Sequence, residues 1–159
     1  MYNHIAPSYN TLHQAEQLKK LAIIKKHIKL LPPLLDIGCG TGISTNYFKI
    51  KSTGVDNCKA MLREGKKHQS NLLYAQAASL PFSDRSFNTI ISVTAFHNFS
   101  NMELALKEIK RVSRNNNIAI SFLKRSKKLQ DFRTLLKRYY RFKEIEEEKD
   151  IIFIITKTL

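Results

Sequence analysis

LLDIGCGTGIS, residues 34–44, carries three glycines at alternate positions, Gly38, Gly40 and Gly42, behind a short apolar run that includes one acid, Asp36. Pro32 and Pro33 stand directly before it. An apolar run this short, closed by proline on one side and glycine on the other, predicts a buried parallel strand. Glycine tolerates positive φ and has no Cβ. Such a turn therefore lets backbone N–H groups, and the N-terminus of the helix it opens, come close to a ligand.

Working outward, the helix after the turn is expected to run through Phe48. STGVD (52–56) then repeats the strand-ending-in-an-acid pattern, and a helix containing Ala60, Met61 and Leu62 follows it. NLLYAQ (71–76), FNTIISV (87–93) and NNIAISFL (116–123) read as further strands. Residues 101–112 have a cap-like Asn101 and apolar positions at helical spacing, and 126–140 reads as another helix. RFKEIEEE and IIFIITKTL have only a tight joint near Lys149 and Asp150 between them, which predicts an antiparallel hairpin at the sheet edge. Upstream, residues 11–31 show Leu18, Leu21, Ala22, Ile28 and Leu31 at helical spacing with lysines on the other face, up to the two prolines. Alternating strands and helices imply right-handed crossovers. The expected fold is α/β: a Rossmann-like three-layer αβα sandwich with a mostly parallel seven-stranded sheet and an antiparallel C-terminal hairpin.

A chain of 159 residues with 43% hydrophobic content suits one core, so residues 1–159 are expected to form a single domain with 1–31 as a helical lead-in. No apolar run approaches the roughly 18 residues of a membrane span, and the N-terminus lacks a basic-then-apolar signal, so a cytoplasmic protein without a membrane partner is expected. Cys39 and Cys58 form neither a CxxC pair nor part of a histidine cluster, which argues against a disulfide framework or a metal site. The net charge is +14, and the stretch from Lys107 to Lys143 holds 13 Lys or Arg against 2 acids. That is a solvated helical face, or a surface for a polyanion such as RNA.

The glycine spacing separates two ligand classes. A dinucleotide fingerprint needs G-x-G-x-x-G, but its third position here is Ile43, which disfavours a nicotinamide-dependent oxidoreductase. Asp56 ends the next strand, where a carboxylate can accept from both hydroxyls of an unphosphorylated ribose. No Walker lysine follows the glycines. A nucleoside without a polyphosphate is the expected ligand.

LLDIGCGTG, GVDNCKAML, AASLPFSDRSFNTIISVTAFHNF and the terminal hairpin together resemble the class I S-adenosylmethionine-dependent methyltransferases, in particular the small type of the quinone-biosynthesis enzymes, over residues 33–159. The resemblance implies S-adenosyl-L-methionine as cofactor. It implies that the backbone of Gly38, Cys39, Gly40, Thr41 and Gly42 lines the methionine part and that Asp36 receives the amino group directly or through water. It places the ribose on Asp56, the adenine beside Asn57, and the adenine edge at Gln76, Ala77 and Ala78. Tyr9, and with it Tyr2, belongs to a lead-in that folds over the cofactor in such enzymes. Gln76 stands where an acid is common; its neutral carbonyl still accepts a bond from the adenine amino group. Asn88 departs from a common Asp.

Methyl transfer from a sulfonium needs alignment of donor and acceptor more than it needs a base. His97 is the candidate base or substrate contact, with a plain structural histidine as the other reading. Asp36 has the alternative of capping the glycine turn, Tyr9 and Tyr2 of packing the first helix, and Met61 and Phe82 are expected in the core or pocket wall. The acceptor is expected to be a small molecule, slightly ahead of RNA bound on the Lys107 to Lys143 face. The other functional class is a non-catalytic cofactor-binding sensor or scaffold.

Overall fold

The computed structural model describes residues 6–159, with side chains from residue 13 onward. Seven strands form one sheet in the order β3-β2-β1-β4-β5-β7-β6. β1 (Leu34–Ile37) lies between β2 (Ser52–Asp56) and β4 (Thr89–Val93), and β3 (Leu72–Tyr74) closes one edge. β5 (Ile118–Leu123) runs parallel to β4, while β7 (Asp150–Thr158) pairs antiparallel with both β5 and β6 (Tyr140–Glu146). The mostly parallel sheet and its antiparallel hairpin are thus those expected from the strand pattern.

Period-two alternation distributes each central strand between two cores. Leu34, Ile91, Val93, Ala119, Ile152 and Ile154 meet Leu21 and Ile24 of α1 (Ala6–His27) on one face. Leu35, Ile37, Ile90, Ile118, Ile120 and Phe153 meet α4 (Met102–Val112) and α5 (Leu129–Tyr139) on the other. Both faces being covered, all four residues of β1 and all five of β4 are buried. α2 (Ile43–Tyr47) and α3 (Lys59–Lys66) follow β1 and β2. Asn101 caps α4, its side chain accepting from the Leu104 N–H at 3.0 Å.

Two local expectations change, and one connection is made without a helix. α1 ends at His27 rather than near Leu31, and residues 28–33 are held by side chains instead, Leu31 N–H donating to Thr89 Oγ1 and Lys29 N–H to Asn117 Oδ1, each at 3.0 Å. The inward face of α1 also includes Lys20, which is only 3% exposed, although lysines were assigned to the outer face. No helix lies between β3 and β4; Arg111 of α4 pins that connection instead, donating to the carbonyls of Leu80 (3.1 Å) and Phe82 (2.7 Å) and to Asp84 (2.9 Å). Asn88 also finds a reason there. It donates to Pro32 O at 2.8 Å and accepts from Arg114 at 3.4 Å, a pairing an aspartate cannot make.

From β1 the chain winds outward to β2 and β3, then crosses back to β4 on the other side of β1. The crevice at the C-terminal ends of β1 and β4 is therefore the switch point where an α/β sheet binds ligands.

Candidate active site

A pocket open to solvent occupies that crevice, where an α/β sheet of this topology binds ligands. One side is built by the glycine turn and the end of β2. Gly38 and Cys39 N–H donate to Val55 O at 2.8 and 2.9 Å, fixing the turn against β2. Gly40, at φ +57°, donates its N–H to Asp56 Oδ2 at 2.8 Å, and Cys58 N–H donates to Asp56 Oδ1 at 2.8 Å. Burial pushes the Asp56 carboxyl up from its usual range, and these N–H bonds act against that rise. Each carboxylate oxygen has a second lone pair, so both still accept from a diol entering the pocket.

Val55, Met61 and Ala75 supply apolar wall beside Asp56, and Asn57, Gln76, Ala77 and Ala78 continue it. Asn57 Nδ2 donates to Gln76 Oε1 at 3.2 Å, so the Gln76 carbonyl already has one partner. A carboxylate with lone pairs left for a diol, next to an apolar slot edged by amides, has the chemistry to take a nucleoside.

The other end wall comes from the segment after β4: Thr94, Ala95, Asn98, Phe99, Ser100 and Asn101. Among the described lining residues none is Lys or Arg, and Asp56 is the only carboxylate.

Gly38, Gly40, Asp56, Asn57, Gln76, Ala77 and Ala78 thus line one pocket. Four other expected residues lie behind it. Asp36 is 0% exposed; its Oδ2 accepts from Ser44 Oγ at 2.5 Å and Thr45 Oγ1 at 2.8 Å, which ties the end of β1 to α2. Its Oδ1 is buried without a partner, and burial raises the carboxyl to about 6 against the two hydroxyl bonds. Cys39 is buried with Leu62 and Leu72. Buried Thr41 accepts from Gln69 Nε2 at 2.5 Å through its carbonyl, and Gly42 caps α2 at φ +89°. These residues shape the turn from beneath.

His97 sits in the 3₁₀ turn Phe96–Asn98 and does not line the pocket. Its Nδ1 is buried without a hydrogen-bond partner, its ring centroid lies 6.0 Å from that of Phe122, and burial lowers its pKa. Tyr9 belongs to α1, but its side chain, like all of Tyr2, lies outside the described residues. Thr94, Asn98 and Ser100 were not read from the sequence. TAFHNFSN drew attention to its histidine, and the available signal was only the position of its small polar residues after a central strand.

The family model described as "Methyltransferase domain" matches residues 35–121, more than half of the chain. A demethylmenaquinone methyltransferase of Chlorobaculum tepidum is 30% identical over 70% of this chain and 53% of its own length. A probable tRNA methyltransferase 9B of Mus musculus is 29% identical over 72% of this chain and 26% of its own. The chain thus spans about half of one of these relatives and about a quarter of the other. The crystal structure of a Thermotoga maritima protein described as a SAM-dependent methyltransferase, possible histamine N-methyltransferase, superposes with a TM-score of 0.75 at 19% identity, over 98% of both chains. No helix among the described residues is long and apolar enough to cross a membrane. The chain belongs to the methyltransferase domain family, the class I enzymes that use S-adenosylmethionine.

Proposed function

We propose that this chain transfers the methyl group of S-adenosylmethionine to an uncharged nucleophilic group of a small molecule that enters between Thr94 and Asn101. The observation that carries this reading is the neutral end wall, where Thr94, Asn98, Ser100 and Asn101 are polar and none carries a charge. Asp56 holds the ribose, Asn57 and Gln76 edge the adenine, and the glycine turn carries the methionine part, with Asp36 behind it to balance the amino group. The bound cofactor supplies a methyl already activated on a positive sulfur. The protein then has to align acceptor and methyl and exclude water, and orientation alone is worth roughly 7 to 11 kcal/mol. Phe99 provides apolar cover at that end. His97 lies outside the lining and takes no direct part in this reading.

A second reading, RNA as acceptor, is favoured by the loop after β5. Arg125, Lys127 and Lys128 are exposed at the same end of the sheet as the pocket, and no acidic partner neutralises them among the described residues. Elsewhere on the basic stretch acids intervene, Arg111 pairing with Glu108 and Asp84, Arg133 with Glu144, and Arg138 with Glu103. One experiment separates the readings. The protein is incubated with S-adenosylmethionine and either a small-molecule fraction or an RNA fraction, and S-adenosylhomocysteine is measured. Product from the small-molecule fraction alone, insensitive to salt, supports the proposal. Product from RNA alone, falling steeply between about 50 and about 200 mM salt, supports the second. Cofactor binding without product from either fraction makes the chain a sensor or scaffold and refutes both.

A further inference from the structure

We infer that the buried pair Lys20 and Asp150 are positioning residues that hold Thr94, in the wall of the cofactor pocket, in the conformation the site requires; this rests on the reading of that pocket as the S-adenosylmethionine site. Lys20 belongs to α1 and Asp150 opens β7, and their side chains are 3% and 0% exposed. Lys20 Nζ lies 3.3 Å from Asp150 Oδ1 and donates to Thr94 Oγ1 at 2.9 Å. Thr94 Oγ1 in turn donates to Asp150 Oδ2 at 2.6 Å. Neither charged residue lines the pocket, but Thr94 does.

Removing two charges from water is costly, and an apolar pair of similar volume commonly stabilises a fold as well or better. Stability alone therefore does not account for this pair. Thr94 supplies a reason. It has φ +50°, a left-handed backbone that a β-branched residue rarely adopts and keeps only when its surroundings enforce it. Five contacts do so here. The Thr94 N–H donates to Ser121 Oγ at 2.8 Å and to Ser121 O at 3.2 Å, the two hydroxyls lie 3.4 Å apart, and the Thr94 hydroxyl is held between Lys20 and Asp150. β4 thereby stops at Val93, and the chain turns so that residues 94–101 become the end wall of the pocket rather than a continued strand.

Asp150 is fixed on its own side. Its N–H donates to Glu147 Oε1 at 3.1 Å, and its carbonyl accepts from Glu147 N–H at 2.9 Å. α1 is joined to the same hairpin turn by Lys19 with Glu148 and Glu16 with Lys149. The wall of the pocket is thus referenced to two elements distant in sequence.

The test is a set of double-mutant cycles read as S-adenosylmethionine and S-adenosylhomocysteine affinity by calorimetry, well below the melting temperature of each variant. Asp150→Asn and Lys20→Met should each weaken both ligands about tenfold or more, and Thr94→Val, which keeps the shape and loses the hydroxyl, should do the same. Thr94→Ser should bind within about threefold of the parent, since the hydroxyl is retained. Glycine adopts positive φ without a tether, so in a Thr94→Gly background the Asp150 and Lys20 substitutions should change affinity less than about twofold. If a single charge substitution prevents folding, the neutral pair Lys20→Met with Asp150→Asn takes its place in the same cycle. Equal weakening in the threonine and glycine backgrounds, or no weakening in either, overturns the inference. A parent that binds neither ligand instead overturns the pocket reading, and this one with it.

Discussion

Asparagine at position 36 should flatten the dependence of folding stability on pH between acid and neutral conditions. Asp36 is fully buried, two hydroxyls donate to one of its oxygens, and the other has no partner. Burial raises its pKa from the ordinary 3.8 to about 6. The folded protein then keeps a proton that the unfolded chain has already lost, so stability is full below about pH 4 and falls as pH rises through about 6. At about 1.4 kcal/mol per pH unit the gap amounts to about 3 kcal/mol, an order-of-magnitude figure. Asp36→Asn keeps a carbonyl to accept from Ser44 and Thr45 and has no proton to lose. Urea unfolding of both proteins at pH 4 and pH 7.5 gives the comparison. Glu108 shifts in the opposite direction but is common to the two proteins and cancels in the difference, whereas repulsion from the Asp56 charge is part of the Asp36 shift that the substitution removes. The parent should lose about 2 to 3 kcal/mol more than the variant over this range. Parallel profiles would mean that Asp36 is solvated or paired in solution, and would refute its role as a buried strut.

Asp56→Ala should remove the rise in melting temperature that S-adenosylmethionine and S-adenosylhomocysteine give the parent. Two charge-assisted bonds of roughly 1.5 to 3 kcal/mol each predict a loss of affinity of at least about a hundredfold, read by calorimetry, with a cooperative fold retained. Gly42→Ala should instead lower stability by about 1 to 3 kcal/mol in urea, because its φ is +89° and a Cβ there would lie 2.9 Å from Leu72 Cδ2. Lys127→Glu together with Lys128→Glu should leave cofactor affinity within about twofold and, if RNA is the acceptor, lower the salt slope of RNA binding by about 1.5 to 2.

The strand pattern is legible because a parallel strand covered on both faces carries apolar residues at consecutive positions, as Leu34 and Leu35 do in β1 and Ile90 and Ile91 in β4. The helices gave less. Leu18 of α1 and Leu31 beyond its end stand at helical spacing, yet both are more than a third exposed, whereas the buried stripe of α1 runs through Gln17, Lys20, Leu21 and Ile24. No local rule places a lysine in a core. That choice was made by Asp150 and Thr94, which lie 130 and 74 residues further along the chain. The end of α1 was missed for a related reason, since Thr89 and Asn117 supply the bonds that the last helical turn would have made.

Within the site, the residues readable in advance are those whose chemistry is local to one turn, and the glycines mark the limit of that reading. Gly38, Gly40 and Gly42 look equivalent in sequence, and all three were assigned to the ligand. A Cβ on Gly38 would collide with Ala95, and one on Gly42 with Gln69 and Leu72, so both positions are already bare for the sake of the protein's own packing. Gly40 differs: its N–H is held by the very carboxylate proposed to take the ribose. Ligand binding at Asp56 and the shape of the glycine turn are therefore joined by one 2.8 Å bond, and a substitution at either end disturbs both. The end wall had no comparable mark. Thr94 is ordinary in composition and unusual only in its φ, which is set by residues of α1, β5 and β7 that come together once the sheet has closed.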